Sequence, residues 1–143
     1  MNLPDAVILV CSFFGLLISL YFTLVYYHLL KPDAAVVPFF CRLDEATCQH
    51  LMSTRNARIL GAPNFVFGLL YYTGMIFYSA GWVALRNVVP LSLVTFVSLF
   101  TVVLAVYLVY GLIVKLRTHC VLCYTSHACN FIIFLALIAK HLS

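Results

Sequence analysis

Charged residues are scarce in this chain. Its 143 residues include eight Lys and Arg and four Asp and Glu, and charged side chains make up 8% of the total, against about 25% in a usual soluble domain. Hydrophobic residues make up 65%, more than a domain of this size can bury in water. The net charge of +4 reflects the shortage of acids. The composition therefore excludes a soluble enzyme, a disordered chain and a basic nucleic-acid-binding protein.

Four long stretches contain no charged residue and predict membrane-spanning helices. They lie at about 6–30, 65–85, 88–114 and 121–139. Each is close to the roughly 20 residues that a helix needs to cross the ~30 Å hydrocarbon layer. Because the backbone must satisfy its own hydrogen bonds in lipid, we expect an all-α integral membrane protein. The four spans would form one transmembrane bundle, a single domain over residues 1–143.

The longest connection, residues 31–64, is the candidate catalytic loop. An even number of spans places it on the same side of the membrane as the turn at 115–120. Asp44 is suited to cap a helix, and apolar residues follow it at helical spacing. These residues are Leu51, Met52, Ile59 and Leu60. The pattern predicts a half-helix that covers the mouth of the bundle, with a solvated linker as the alternative.

Four of the six cysteines fall on this one side of the membrane. Cys41 and Cys48 lie in the long loop, and Cys120 and Cys123 form a Cys-x-x-Cys motif where the fourth span begins. A helix N-terminus stabilises a thiolate, which is the attacking species in disulfide exchange. The motif therefore indicates a redox couple, with static disulfides as the alternative. The spacing is unusual for zinc, and we expect no metal.

Polar residues continue inward from the motif along the fourth span. His127 and Asn130 follow Cys123 at spacings of four and three residues, so the three lie on one helix face. Polar side chains in a span usually face the bundle interior or a ligand. The stripe predicts a small-molecule pocket, with hydrogen bonding between helices as the alternative. Asn64, on the same side, is a further candidate. Two single cysteines are expected to pack as small hydrophobic residues: Cys11 and Cys129.

Together these motifs resemble the vitamin K epoxide reductase family, and in particular its microbial members. The resemblance rests on the loop cysteines, the segment GAPNFVFGLLYY at 61–72 and the Cys-x-x-Cys motif, and it covers residues 6–142. It implies a four-helix bundle around a quinone, with the loop half-helix over the active site. The thioredoxin-like domain that is fused to many bacterial homologues is not expected here. The resemblance therefore implies a separate thioredoxin-fold partner.

The resemblance also implies a role for each matching residue. Cys41 resembles the loop cysteine that meets the redox partner, and Cys48 resembles the shuttle cysteine. Cys120 would exchange with Cys48, and Cys123 resembles the cysteine beside the quinone ring. Asn64 resembles the asparagine that hydrogen-bonds a quinone carbonyl.

One position departs from the family pattern. His127 stands where the vertebrate enzymes have a tyrosine that contacts the quinone, which favours simple quinone reduction over epoxide reduction. The remaining members of the expected quinone-binding set are Asn130, Phe67 and Tyr71. The quinone is the electron-accepting substrate, of the vitamin K, menaquinone or ubiquinone type.

The expected function is that of a membrane thiol–disulfide oxidoreductase. It would oxidise a thioredoxin-like partner, reduce a quinone and support disulfide-bond formation. An unrelated four-helix disulfide-bond oxidase and a non-catalytic four-span scaffold with structural disulfides are the alternatives. The resemblance places the active site on the periplasmic or extracytoplasmic side of the cell (inner) membrane, where disulfides persist. The excess of Lys and Arg on the cysteine side favours an inward-facing variant under the positive-inside rule.

Overall fold

The computed structural model describes residues 2–27, 29, 58–59, 62–115 and 121–143. These residues form five α-helices: α1 Leu3–Tyr26, α2 Asn64–Ser79, α3 Val83–Val88, α4 Leu91–Tyr110 and α5 Val121–Leu142. A short π-helical segment, Gly111–Lys115, follows α4 directly. Two short strands, β1 Arg58–Ile59 and β2 Ala62–Pro63, pair antiparallel just before α2. The described chain is therefore helical apart from one short ladder.

Three of the described helices are long and apolar enough to cross a membrane. These segments are Leu3–Leu24, Leu91–Tyr110 and Cys123–Leu142. The third has a mean hydropathy of 1.3 against 2.4 for the other two, because its first half carries the polar stripe. α2 has 16 residues and is shorter than a usual span. The prediction of a helical membrane protein is confirmed, and the count of four spans stays a prediction.

The uncharged stretch predicted as the second span, 65–85, is not one continuous helix. α2 ends at Ser79, and Gly81 has a φ of 86°, a conformation that glycine adopts easily because it lacks a Cβ. Arg86 folds back so that its Nε donates to the Tyr78 carbonyl at 2.8 Å and its Nη2 to the Ser79 carbonyl at 3.3 Å. These bonds satisfy carbonyl groups that a helix end leaves unpaired. The short α3 then occupies the predicted boundary between the second and third spans.

One residue of the predicted half-helix lies in the small ladder instead. Ile59 belongs to β1, where it is paired with Ala62, and Arg58 is paired with Pro63. This pairing engages backbone groups that a helix would need for its own hydrogen bonds. The assignment of Ile59 to a helix is therefore wrong. The other residues of that prediction lie outside the described residues: Asp44, Leu51, Met52 and Leu60.

Helix α1 is central to the packing. It packs along both α2 and α5, and α4 packs against α5. The buried positions of α1 recur mostly every three or four residues, the spacing of one helix face. They are Asp5, Ile8, Ser12, Gly15, Ile18, Ser19 and Phe22.

The two sides of α1 differ in the size of their side chains. The buried side contains small residues, Ser12, Gly15 and Ser19, which let neighbouring helices approach closely. Phe13 and Phe14, on the other side, are 54% and 55% exposed. That side is therefore available to lipid.

Two contacts fix the relative directions of the helices. Phe22, near the end of α1, stacks on Phe65 at the start of α2, with ring centroids 6.1 Å apart. Lys140, near the end of α5, donates to Asp5 near the start of α1 at 2.6 Å. Both α2 and α5 therefore begin at the end of the bundle where α1 ends. We call this the cysteine end, because α5 begins there with Cys123 in its first turn.

The opposite end, which we call the charged end, holds an ion cluster around a buried carboxylate. Asp5 is 4% exposed, and its Oδ1 lies 2.6 Å from Lys140 Nζ and 3.3 Å from Arg86 Nη2. Both cations also lie over the Tyr78 ring, with Arg86 at 5.6 Å and Lys140 at 5.5 Å from its centroid. Burying an unpaired charge is costly, and these contacts offset the cost of burying the Asp5 carboxylate. They join α1, α5 and the end of α2.

Candidate functional site

Cys123 is the described member of the predicted cysteine relay. It is the third residue of α5 and is partly buried. Its place in the first turn puts the sulfur near the positive end of the helix dipole, where an anion is stabilised. Cys41, Cys48 and Cys120 lie outside the described residues, so the relay itself stays a prediction.

Asn64 lies at the cysteine end as well. It is the first residue of α2, directly after β2, and it is partly exposed. The pairing of β1 with β2 leads the chain into this helix start. Since α2 and α5 begin at the same end of the bundle, Asn64 and Cys123 share that end. Two predicted site residues that are far apart in sequence therefore lie at the same end of the bundle.

His127 lies one helical turn beyond Cys123. Its Nδ1 is buried and has no hydrogen-bond partner among the residues that the structure describes. In the part of the chain that the structure describes, Ser12 Oγ is the other side-chain atom in this condition. Buried polar atoms usually have a partner, because leaving one unpaired costs about 1–3 kcal/mol. The imidazole of His127 therefore has hydrogen-bonding capacity that the described residues do not use.

Asn130 takes part in a contact between helices. The Tyr72 hydroxyl, on α2, donates to Asn130 Oδ1 at 2.6 Å. The same hydroxyl lies 3.1 Å from Ser126 Oγ. The side-chain oxygen of Asn130 thus links α5 to α2 by a hydrogen bond. The amide nitrogen of Asn130 takes no part in this contact.

The two aromatic residues of the predicted quinone-binding set lie on α2. Phe67 and Tyr71 are both partly buried. The Tyr71 hydroxyl donates to Ser98 Oγ on α4 at 3.1 Å, which links those two helices. The ring of Tyr71 lies against that of Tyr72, with centroids 5.2 Å apart. The Tyr71 hydroxyl is therefore engaged between helices, and its ring is the part that suits contact with an apolar ligand.

Tyr72 and Ser126 have no role in the sequence-based predictions, although Tyr72 ends the segment at 61–72. Tyr72 is 2% exposed, and its ring lies so close to Gly15 that a Cβ at Gly15 would overlap it. One signal was present, because a tyrosine within an uncharged span needs a partner for its hydroxyl. Ser126 and Asn130, four residues apart on α5, supply that partner.

The two single cysteines lie within the bundle. Cys129 is 8% exposed, and Cys11 packs against the hydrophobic core. Neither of the two forms a disulfide. Their surroundings suit the expected packing role.

Compared with known protein families, residues 6–138 match the vitamin K epoxide reductase family. The chain belongs to the vitamin K epoxide reductase family. Membership confirms the resemblance found in the motifs and makes the protein a membrane oxidoreductase. The comparison with curated proteins gave no significant match. The vitamin K epoxide reductase match includes Asn64, Cys123, His127 and Asn130.

Proposed function

We propose that the protein is a quinone-dependent thiol oxidase. It oxidises a thioredoxin-fold partner and reduces a membrane quinone, and it thereby supports disulfide-bond formation. The observation that supports this most is at the cysteine end. There Cys123 lies in the first turn of α5, one turn before His127, whose buried Nδ1 has no partner within the described part of the chain.

In the proposed architecture four helices span the membrane: α1, α2, α4 and α5. The 16 residues of α2 cover about 24 Å at ~1.5 Å per residue, slightly less than the hydrocarbon layer. The loop at 31–64 lies over the cysteine end and brings its cysteines to the start of α5. Apart from residues 58–59 and 62–64, this loop lies outside the described residues.

The electrons enter through the loop. A thiolate of the partner attacks the Cys41–Cys48 disulfide at Cys41 and releases Cys48 as a thiolate. Cys48 then attacks Cys120 of the Cys120–Cys123 disulfide and releases the Cys123 thiolate. The second thiol of the partner displaces Cys41 from the mixed disulfide, and Cys41 then displaces Cys120 from Cys48, which re-forms the Cys41–Cys48 disulfide and leaves Cys120 and Cys123 reduced. Closure of the Cys120–Cys123 disulfide then passes two electrons and two protons to the quinone, which leaves as a quinol. The partner is left with one disulfide, so that the electrons balance.

The polar residues at the cysteine end supply hydrogen bonds. A quinone carbonyl only accepts hydrogen bonds, so it needs donors. The amides of Asn64 and Asn130 and an N–H of His127 can donate to it as negative charge develops on the oxygens. The rings of Phe67 and Tyr71 provide apolar surface for the quinone ring.

The active site faces the extracytoplasmic side in this proposal. Because α5 begins at the cysteine end and finishes at the charged end, the C-terminus lies opposite the cysteines. A reporter fused after Ser143 should then be active in the cytoplasm. A reporter that is active only outside the cytoplasm identifies the inward-facing variant.

The proposed reaction is tested with purified protein in detergent. A reduced thioredoxin-fold protein serves as donor and ubiquinone-1 as acceptor, and quinol formation is followed by absorbance. Cys123→Ala should abolish turnover, and Cys11→Ala, which removes a thiol of the core, should retain it. Equal turnover by wild type and Cys123→Ala would refute the proposal.

A further inference from the structure

The Tyr72 side chain joins three helices below the cysteine end. Its ring lies on Gly15 of α1 without room for a Cβ. Its hydroxyl reaches α5, 2.6 Å from Asn130 Oδ1 and 3.1 Å from Ser126 Oγ. Contacts on both sides therefore hold this buried side chain in one position.

The direction of these hydrogen bonds orients the Asn130 amide. Asn130 Oδ1 can only accept, so the Tyr72 hydroxyl donates its single hydrogen to it, and the Ser126 hydroxyl can donate to the Tyr72 oxygen. The Ser126 carbonyl, at 3.3 Å, is a more distant second acceptor. The Asn130 amide nitrogen has no partner among the described residues. Asn130 is thus left with N–H donors to offer.

Donors are what a quinone carbonyl requires, whereas an amide oxygen turned toward it would repel it. We propose that Tyr72 is a positioning residue, which holds the Asn130 oxygen so that the Asn130 amide N–H remains available to a quinone carbonyl. This inference rests on the proposed function. Tyr72 acts on the quinone through Asn130 and does not itself touch the reacting atoms.

The test begins with Tyr72→Phe, which removes only the hydroxyl. Steady-state kinetics with ubiquinone-1 should show a KM for quinone raised about tenfold, with kcat and the KM for the thiol donor within about twofold of wild type. Tyr78→Phe is the matched control, because it makes the same change in α2 near the charged end. It should leave the KM for quinone unchanged.

A double-mutant cycle separates positioning from stability. Asn130→Asp keeps an acceptor for Tyr72 and removes the N–H donors, so it should raise the KM for quinone as well. Tyr72→Phe added to Asn130→Ala should raise the KM no further than Asn130→Ala alone, because one acts through the other. Additive effects would overturn the inference, and so would a lower Tm for Tyr72→Phe with an unchanged KM.

Failure of this inference differs from failure of the proposed function. A wild type that neither binds nor reduces ubiquinone-1 overturns both. A wild type that reduces ubiquinone-1, together with a Tyr72→Phe variant of unchanged KM, overturns the role of Tyr72 alone.

Discussion

The two ends of the bundle differ in whether their buried polar groups have partners among the described residues. At the charged end, the Asp5 carboxylate has two cationic partners, Lys140 and Arg86. At the cysteine end, His127 carries a buried nitrogen with no partner among the described residues. A buried polar group without a partner is rare and calls for an explanation such as a ligand. We therefore propose that the charged end holds the helices together and that the cysteine end binds the quinone.

Removing the carboxylate of the charged end should have the largest effect on stability. Asp5→Ala leaves two cations without their shared partner, which should cost about 3 kcal/mol. Thermal unfolding in detergent measures the loss. The KM for quinone of the folded variant should stay at the wild-type value, and a changed KM would contradict the division between the two ends.

Gly15→Ala should have the next largest effect on stability. The new methyl group would overlap the Tyr72 ring, and such overpacking costs about 1–3 kcal/mol. Thermal unfolding should show the loss, and the KM for quinone should rise because Tyr72 is displaced. Gly74→Ala is the control, since nothing lies within 4 Å of its added Cβ. Equal Tm values for the two variants would show that the close contact is unimportant.

His127→Phe should impair quinone reduction without lowering stability, whereas Asp5→Ala should lower stability without changing the KM for quinone. Because Nδ1 of His127 has no partner among the described residues, its removal should leave Tm unchanged or slightly raised. Quinone reduction should fall about tenfold in kcat/KM, since a donor is lost. A large fall in Tm with normal kinetics would make His127 a structural residue.

Among the variants that should lower stability, Gly81→Ala should have the smallest effect. The φ of 86° is unfavourable for a residue with a Cβ, which should cost about 1 kcal/mol. The measurement is again thermal unfolding, and quinone kinetics should be unaffected. An unchanged Tm would mean that the turn after α2 adapts to a side chain.

Local signals in the sequence predict some of these features and miss others, for physical reasons. Uncharged stretches are local and suffice to predict a helical membrane protein. The loop cysteines, the segment at 61–72 and the Cys-x-x-Cys motif are local as well, and together they carry the resemblance to the family, which implies the oxidoreductase. The uncharged stretch 65–85 hid the end of α2, where Gly81 has a positive φ and Arg86 donates to the carbonyl groups of Tyr78 and Ser79. Spacing places Asn130 on the face of Cys123, but it cannot show that Tyr72 lies opposite.

Counting quinol against partner disulfide in one reaction shows whether electrons pass from the partner through Cys123 to the quinone. Wild type, Asp5→Asn and Cys123→Ala are each supplied with reduced thioredoxin-fold partner and ubiquinone-1. Wild type and Asp5→Asn should give one quinol per disulfide, and Cys123→Ala should give neither product. Quinol formation by Cys123→Ala at the wild-type rate would contradict the proposed electron path.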